Sequence, residues 1–121
     1  MIPKFRAWLK KEKKMVDVEG LEFVDGKLYS IRAKIGGIMH FFLAHYVLMQ
    51  STGVKDCDGK EIYEGDVVLP SCALASLVFW ENGAFQVGHY GDMSYVSVDY
   101  EPLLVIGNIY ENPELVKEVE K

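Results

Sequence analysis

A chain of 121 residues, half of them apolar, has the size of a single domain and enough apolar side chain to bury a core, which excludes an intrinsically disordered protein. Its formal charge of −5 is unevenly spread: residues 1–14 hold six basic side chains and one acid, which leaves −10 for the rest, and an acidic body repels phosphate backbones. The apolar run Ile38–Met49 falls far short of the roughly 20 residues of a membrane helix, and two cysteines, Cys57 and Cys72, do not make a disulfide framework.

Six Phe, seven Tyr and two Trp, with many Val and Ile, favour strands over helices. Pro3 to Trp8 reads as a first strand, with Phe5 and Ala7 on one face and Arg6 and Trp8 on the other. The start carries no apolar export segment, so free thiols in a reducing cytoplasm are expected. Lys10–Lys14 is a charged turn. Met15–Val24 is a second strand-like run whose alternation changes phase at Gly20, as a bulge or break would cause. Asp25-Gly26 signals a hairpin, because a type I′ turn needs positive φ at both central positions. Leu28 to Ile31 is its return strand, and Gly36-Gly37 punctuates the chain again. The segment IMHFFLAHYVLMQ is long enough for about three helical turns, but its Phe, Tyr and Val content and its β surroundings favour one or two strands.

The stretch Gln50–Val68, QSTGVKDCDGKEIYEGDVV, is the densest run of turn chemistry in the chain. Thr52-Gly53 and Asp58-Gly59 are turn signals, and the second should reverse the chain between Val54 and Glu61-Ile62-Tyr63. Gly65 allows a tight corner where Asp66 can hydrogen-bond its own backbone. Val67-Val68-Leu69 is the strand that follows, closed by Pro70. A Gly-Asp-aliphatic-aliphatic entry of this kind is common in small SH3-like barrels. Leu77 to Trp80, Asn82-Gly83 and Ala84 to Val87 form a second hairpin. After a loop from Gly88 to Asp92, Tyr95 to Asp99 alternates as a half-exposed strand. Pro102 breaks the run, and Leu103 to Ile109 is the last strand. Asn112 is placed to cap a short helix that begins at Pro113 and has Glu114 at its positive end.

Three segments, MIPKFRAW with KKM shortly after, LMQSTGVKDCDGKEIYEGDVV and VIGNIYENPEL, together resemble the YopX family of small proteins encoded by bacteriophages and prophages. Order and spacing agree over nearly the whole chain. The resemblance implies a phage or prophage origin, a location in the bacterial host cytoplasm and a mostly β fold with a small barrel. It implies no biochemical activity and carries over no catalytic residue. Cys57 departs from the polar residue usual at its place in the family. Residues and resemblance together give one YopX-like, mostly β domain over 1–121. Its parts are an N-terminal β-meander over residues 1–50, a small SH3-like barrel over 51–112 and a short C-terminal helix over 113–120.

Candidate chemistry is sparse. Asp56-Cys57-Asp58-Gly59 has the look of a calcium loop, but Lys60 takes the next ligand position and the closing glutamate is lacking, so a turn fits better. His40, His45 and His89 could ligate zinc with Cys57 or Cys72, yet there is no Cys-x-x-Cys and the His pair lies among aromatics. Cys72 has no basic partner near in sequence and Cys57 sits between acids, neither of which suits a nucleophile. Glu61, Glu64 and Asp66 crowd three carboxylates together, but acid–base catalysis needs two in environments that split them. A polar corner around Gly65 is the simpler account. No catalytic residue, metal or cofactor is therefore expected.

The candidate interaction surface is Arg6, Trp8, Tyr63, Glu64, Asp66, Asn108 and Tyr110, and the candidate basic patch is Lys10, Lys11, Lys13 and Lys14. The expected function is that of a non-enzymatic phage or prophage accessory protein. It would work as a protein-interaction module that forms a homo-oligomer, with a further phage or host protein partner unidentified and no membrane partner. The alternative is a nucleic-acid-associated module that uses the basic patch.

Overall fold

The structure, a computed structural model, describes residues 3–34, 37–42, 45–70, 74–88 and 95–115. The chain divides into two compact units, Ile2–Gln50 and Ser51–Lys121.

The first unit is an antiparallel meander. It contains β1 (Phe5–Leu9), β2 (Lys14–Val24), β3 (Lys27–Lys34), β4 (Ile38–Phe42) and the first half of β5 (Tyr46–Lys55). The strands lie in the order β4-β3-β2-β1-β5. The lysine-rich turn between β1 and β2 closes when Lys13 N–H donates to the Leu9 carbonyl at 2.8 Å, with Lys13 at φ 54°. Asp25 and Gly26, at φ 51° and 78°, make the type I′ turn expected between β2 and β3. The phase change at Gly20 is a bulge, since the β2–β3 register shifts between Val18 and Gly20. Ala7, Leu9, Ile31 and Ala33 are fully buried, with Phe41 and Tyr46 beside them. Phe41 on β4 and Tyr46 on β5 share this core from opposite ends of the strand order, so the sheet coils around its own apolar face. Within IMHFFLAHYVLMQ, Ile38–Phe42 is β4 and the chain from Tyr46 starts β5, as the strand reading expected; residues 43–44 and Gly36 lie outside the described residues.

The second unit contains the rest of β5, β6 (Glu61–Tyr63), β7 (Asp66–Pro70), β8 (Ser76–Glu81), β9 (Ala84–Gly88), β10 (Val96–Ser97) and β11 (Leu103–Asn108). Five of these strands form an antiparallel sheet in the order β10-β9-β8-β7-β11. Adjacent residues of a strand point to opposite faces, and here both faces are covered. Val68, Val78 and Val87 pack with Ile62, Val98 and Leu103. Val67, Leu77 and Phe79 pack with Tyr95, Ile109 and Leu115. The continuous apolar runs of β7 and β8 therefore stand where alternation would have left one side wet. Burying each of Val67 and Val68, both at 0% exposure, is worth roughly 1.5–3 kcal/mol.

Four local expectations need correction. The small SH3-like barrel is not closed: among the described residues β10 and β11 end the strand order and do not pair with each other. The outer edge of β11 is instead taken by the turn after β5, where Cys57 N–H donates to the Leu103 carbonyl at 2.9 Å and Asp56 Oδ2 accepts from Val105 N–H at 3.0 Å. Thr52-Gly53 is not a turn but a bulge inside β5, with Gly53 at φ 81°. Side-chain hydroxyls satisfy the backbone groups that the bulge frees: Ser51 Oγ accepts from Gly53 N–H and Thr52 Oγ1 from Val54 N–H, both at 3.1 Å. The strand expected over Tyr95–Asp99 shortens to β10, because the chain turns back when Tyr100 N–H donates to the Ser97 carbonyl at 3.0 Å. Asn112 does not cap the helical turn at residues 113–115; its Oδ1 points back and accepts from Asn108 N–H at 3.2 Å. The rest of the expected helix lies outside the described residues.

Candidate functional site

The Gly65 corner gathers five of the seven residues of the candidate interaction surface. Gly65, at φ 87°, donates its N–H to the Val78 carbonyl at 2.9 Å and accepts from Ile109 N–H at 3.0 Å. A side chain at this φ would be strained, which is why glycine stands there. The β7–β11 register sets Asn108 opposite Asp66, with Tyr63 and Glu64 just before and Tyr110 just after. Asp66 is 1% exposed, and its Oδ2 accepts from Tyr63 N–H at 2.8 Å, the local backbone bond expected of it. Asn108 is buried too. Its Oδ1 accepts from the N–H groups of Tyr110 and Glu111 at 3.0 and 2.8 Å, and its Nδ2 donates to Glu111 Oε1 at 2.8 Å.

These side chains hold a corner together. Asp66 and Asn108 are not surface groups, and the corner exposes only parts of Tyr63, Glu64 and Tyr110. Arg6 and Trp8 lie on β1 of the first unit, where Arg6 is buried and Trp8 half-buried. Lys10, Lys11, Lys13 and Lys14 are all exposed on or beside a single tight turn.

Asp56 is the polar residue whose role the sequence hid. Its Oδ1 accepts from Asp58 N–H at 2.9 Å and Lys60 N–H at 2.8 Å, while Oδ2 reaches Val105 N–H. The Val105 bond does most to hold the carboxyl below the ordinary aspartate value of 3.8; the Lys60 and Asp58 N–H groups and the Lys60 charge act the same way, against the opposing effect of burial. The first two bonds are an Asx-type turn legible from Asp56-x-Asp58-Gly59. The third joins residues 49 apart and has no sequence signal. With both oxygens committed to backbone donors, Asp56 has the chemistry of a staple, not of a calcium ligand.

Cys57 beside it is a free, exposed thiol. Among the described residues no three His, Cys, Asp or Glu side chains converge as a metal site requires. His89, Cys72 and the His40 side chain fall outside that description. No helix among the described residues is long and apolar enough to cross a membrane.

None of the residues singled out from sequence lines the pocket of the second unit. This cavity of about 470 Å³ is bounded by Pro70, Leu74, Val87, Val96, Tyr100 and Leu103, with Glu101 as the carboxylate among the described lining residues. An apolar wall with few polar groups at this size is the usual character of a binding cleft. Its lining comes from residues dispersed between 70 and 103, which explains why no motif marks it.

The family model described as YopX protein matches residues 4–117. Among solved structures, the chain is similar to protein EF1440 from Enterococcus faecalis, with 31% identity and a TM-score of 0.70 over 96% of this chain and 99% of that one. It is also similar in fold to protein yopX from Bacillus subtilis, with 22% identity and a TM-score of 0.64 over 93% of this chain and 96% of the other. No curated protein matches the chain. With the family's pattern running through both units, from β1 to beyond the last strand, the chain belongs to the YopX family.

Proposed function

We propose that this is a phage- or prophage-encoded accessory protein that acts in the host cytoplasm without catalysis, as a protein-interaction module that self-associates. The observation that carries this reading is the exposed apolar tip of the β2–β3 hairpin, where Phe23, Val24 and Tyr29 are 60%, 52% and 52% exposed. Three large apolar side chains left exposed at one hairpin tip support an association surface there. A non-catalytic role is supported by the use of the candidate carboxylates: Asp56 and Asp66 accept backbone N–H bonds, and neither Glu61, Glu64 nor Asp66 is among the residues lining the 470 Å³ cavity. Sedimentation velocity over a concentration series tests the proposal. A weight-average mass that rises with concentration is expected; a single monomeric species up to the solubility limit removes self-association.

A second reading rests on the lysine-rich turn, which presents four exposed cations next to one acid, Glu12. In it the turn contacts nucleic-acid phosphates, with strong salt dependence. A gel-shift assay at low salt, repeated with Lys10, Lys11, Lys13 and Lys14 changed to Glu, discriminates. No binding by the native protein, or equal binding by the variant, ends that reading.

A further inference from the structure

We propose that the pocket of the second unit is a small-molecule site whose ligand is an organic ammonium ion with an apolar body, held by Glu101. The site is separate from the hairpin tip, and its occupancy does not depend on self-association.

The pocket combines a fixed wall with apolar surface open to an entering molecule. Val87 and Leu103 are buried members of the sheet's core, so their side of the cavity is set by packing. Leu74, Val96 and Tyr100 also line it and are exposed, so an occupant would cover them. At about 470 Å³ the cavity lies within the roughly 300–1,000 Å³ range of clefts that enclose most of a small ligand. That is room for a whole small molecule, not only for the tip of one side chain.

Polarity decides the class of ligand. Glu101 is the carboxylate among the described lining residues; it is half-buried and has no hydrogen-bond or ion-pair partner among the described residues. The two lining serines already donate, Ser76 Oγ to the Leu74 carbonyl at 3.0 Å and Ser97 Oγ to Asp99 Oδ1 at 2.6 Å, so each has only lone pairs left to offer. Tyr100 adds a hydroxyl that can act either way and a ring face that attracts cations. The described lining thus offers acceptors and a negative charge, with no Lys, Arg or His to answer them. The surrounding sequence does not answer them either: from residue 61 to residue 116 it has nine acidic residues and no Lys or Arg. Such a field draws cations and repels anions. An anionic ligand would find no counter-charge in this lining. A purely apolar one would desolvate Glu101 without compensation, which is costly. A molecule with an ammonium group at one end and an apolar body at the other satisfies both the carboxylate and the walls.

The test is titration of the isotope-labelled full chain, followed by amide NMR shifts, with three probes that share one body: tryptamine, its alcohol analogue tryptophol and the acid indolepropionate. Tryptamine should bind with a dissociation constant of ~1 mM and shift the amides of Val87, Val96 and Leu103. Tryptophol should bind at least ~5-fold more weakly, and indolepropionate should give no saturable shift. Glu101→Gln should bring tryptamine down to the affinity of tryptophol and leave tryptophol unchanged, a split that a merely structural role for Glu101 would not produce. Val96→Trp, a larger side chain at an exposed position of the edge strand β10, should block both probes. No shift of the lining amides by any probe at ten times the expected dissociation constant overturns the site. Indolepropionate binding as tightly as tryptamine, or tryptamine binding Glu101→Gln as well as the native chain, overturns the ammonium–Glu101 contact. Tryptamine shifts spread over acidic residues outside the cavity show general cation attraction only and overturn the proposal as well.

Discussion

Residues 2–50 and 51–121 are both antiparallel β structure, yet they bury it in different ways. Along the eleven residues of β2 not one is buried, while four of the five residues of β7 are. Strand β2 of the first unit is only partly buried, so acids can alternate with apolar side chains as Asp17, Val18 and Glu19 do, although Arg6-Ala7 on β1 and Ser30-Ile31 on β3 are buried as consecutive pairs. The second packs both faces of its sheet, and consecutive residues such as Val67 and Val68 are both removed from water. The comparison teaches that polarity alternation reports how many faces are covered, not how much strand there is. It also locates exposed apolar surface, because the long β2–β3 hairpin runs beyond the end of its core and leaves Phe23, Val24 and Tyr29 uncovered.

The largest test of this contrast is a pair of core truncations. Ile62→Ala and Leu9→Ala should each cost about 4 kcal/mol, since both side chains are at 0% exposure. Hydrogen exchange read segment by segment should show Ile62→Ala loosening β7 and β8 and Leu9→Ala loosening β1 and β3. Equal loss of protection everywhere in both variants would mean that the two units are one cooperative body.

Next comes Asp56→Ala, which strands three backbone N–H groups and should cost about 3 kcal/mol, measured by urea denaturation. The same residue makes a pH prediction. Because the folded carboxyl is held below 3.8, the stability it gives is present above that value and is lost as pH falls through its lower folded value. The acid-side fall in urea midpoint should be shallower in Asp56→Ala than in the native protein, and an identical slope would refute the staple.

A smaller effect, about 2 kcal/mol from crowding, is expected for Gly107→Ala. The new methyl group would lie 2.8 Å from Asn112 Cγ and 2.9 Å from Leu115 Cδ1, so loss of protection should begin at the terminal turn. The smallest is Phe23→Ser. Despite its aromatic ring, this change at an exposed tip should shift stability by no more than about 0.5 kcal/mol. A thermal-melt decrease like that of a core variant would show the tip to be packed within its own chain.

Much of the fold was legible because turns are local. Asp25-Gly26 and Asn82-Gly83 take the positive φ pairs their chemistry demands, and the break in alternation at Gly20 is a bulge in the ladder. Family membership was legible for the same reason, in runs of contiguous residues. The misses were made where a side chain competes with the backbone. Ser51 and Thr52 turn an apparent reversal at Gly53 into a bulge, and Asn112 bonds upstream to Asn108 instead of capping the helical turn after it. Of the candidate surface, Asp66 and Asn108 proved to be internal because polar residues at a corner read alike whether they face solvent or hold the backbone.

The sequence alone determined a mostly β chain, its hairpins, the Gly65-Asp66 corner and the exposed lysine turn, since each depends on residues within a few positions of one another. Only the tertiary structure decided that the five-stranded sheet stays open, that Asp56 and Cys57 occupy the edge of β11 across 49 residues, and that residues dispersed between Pro70 and Leu103 enclose a pocket. The physical reason is that strand pairing, edge coverage and cavities depend on which distant segments meet, and no local propensity encodes that meeting.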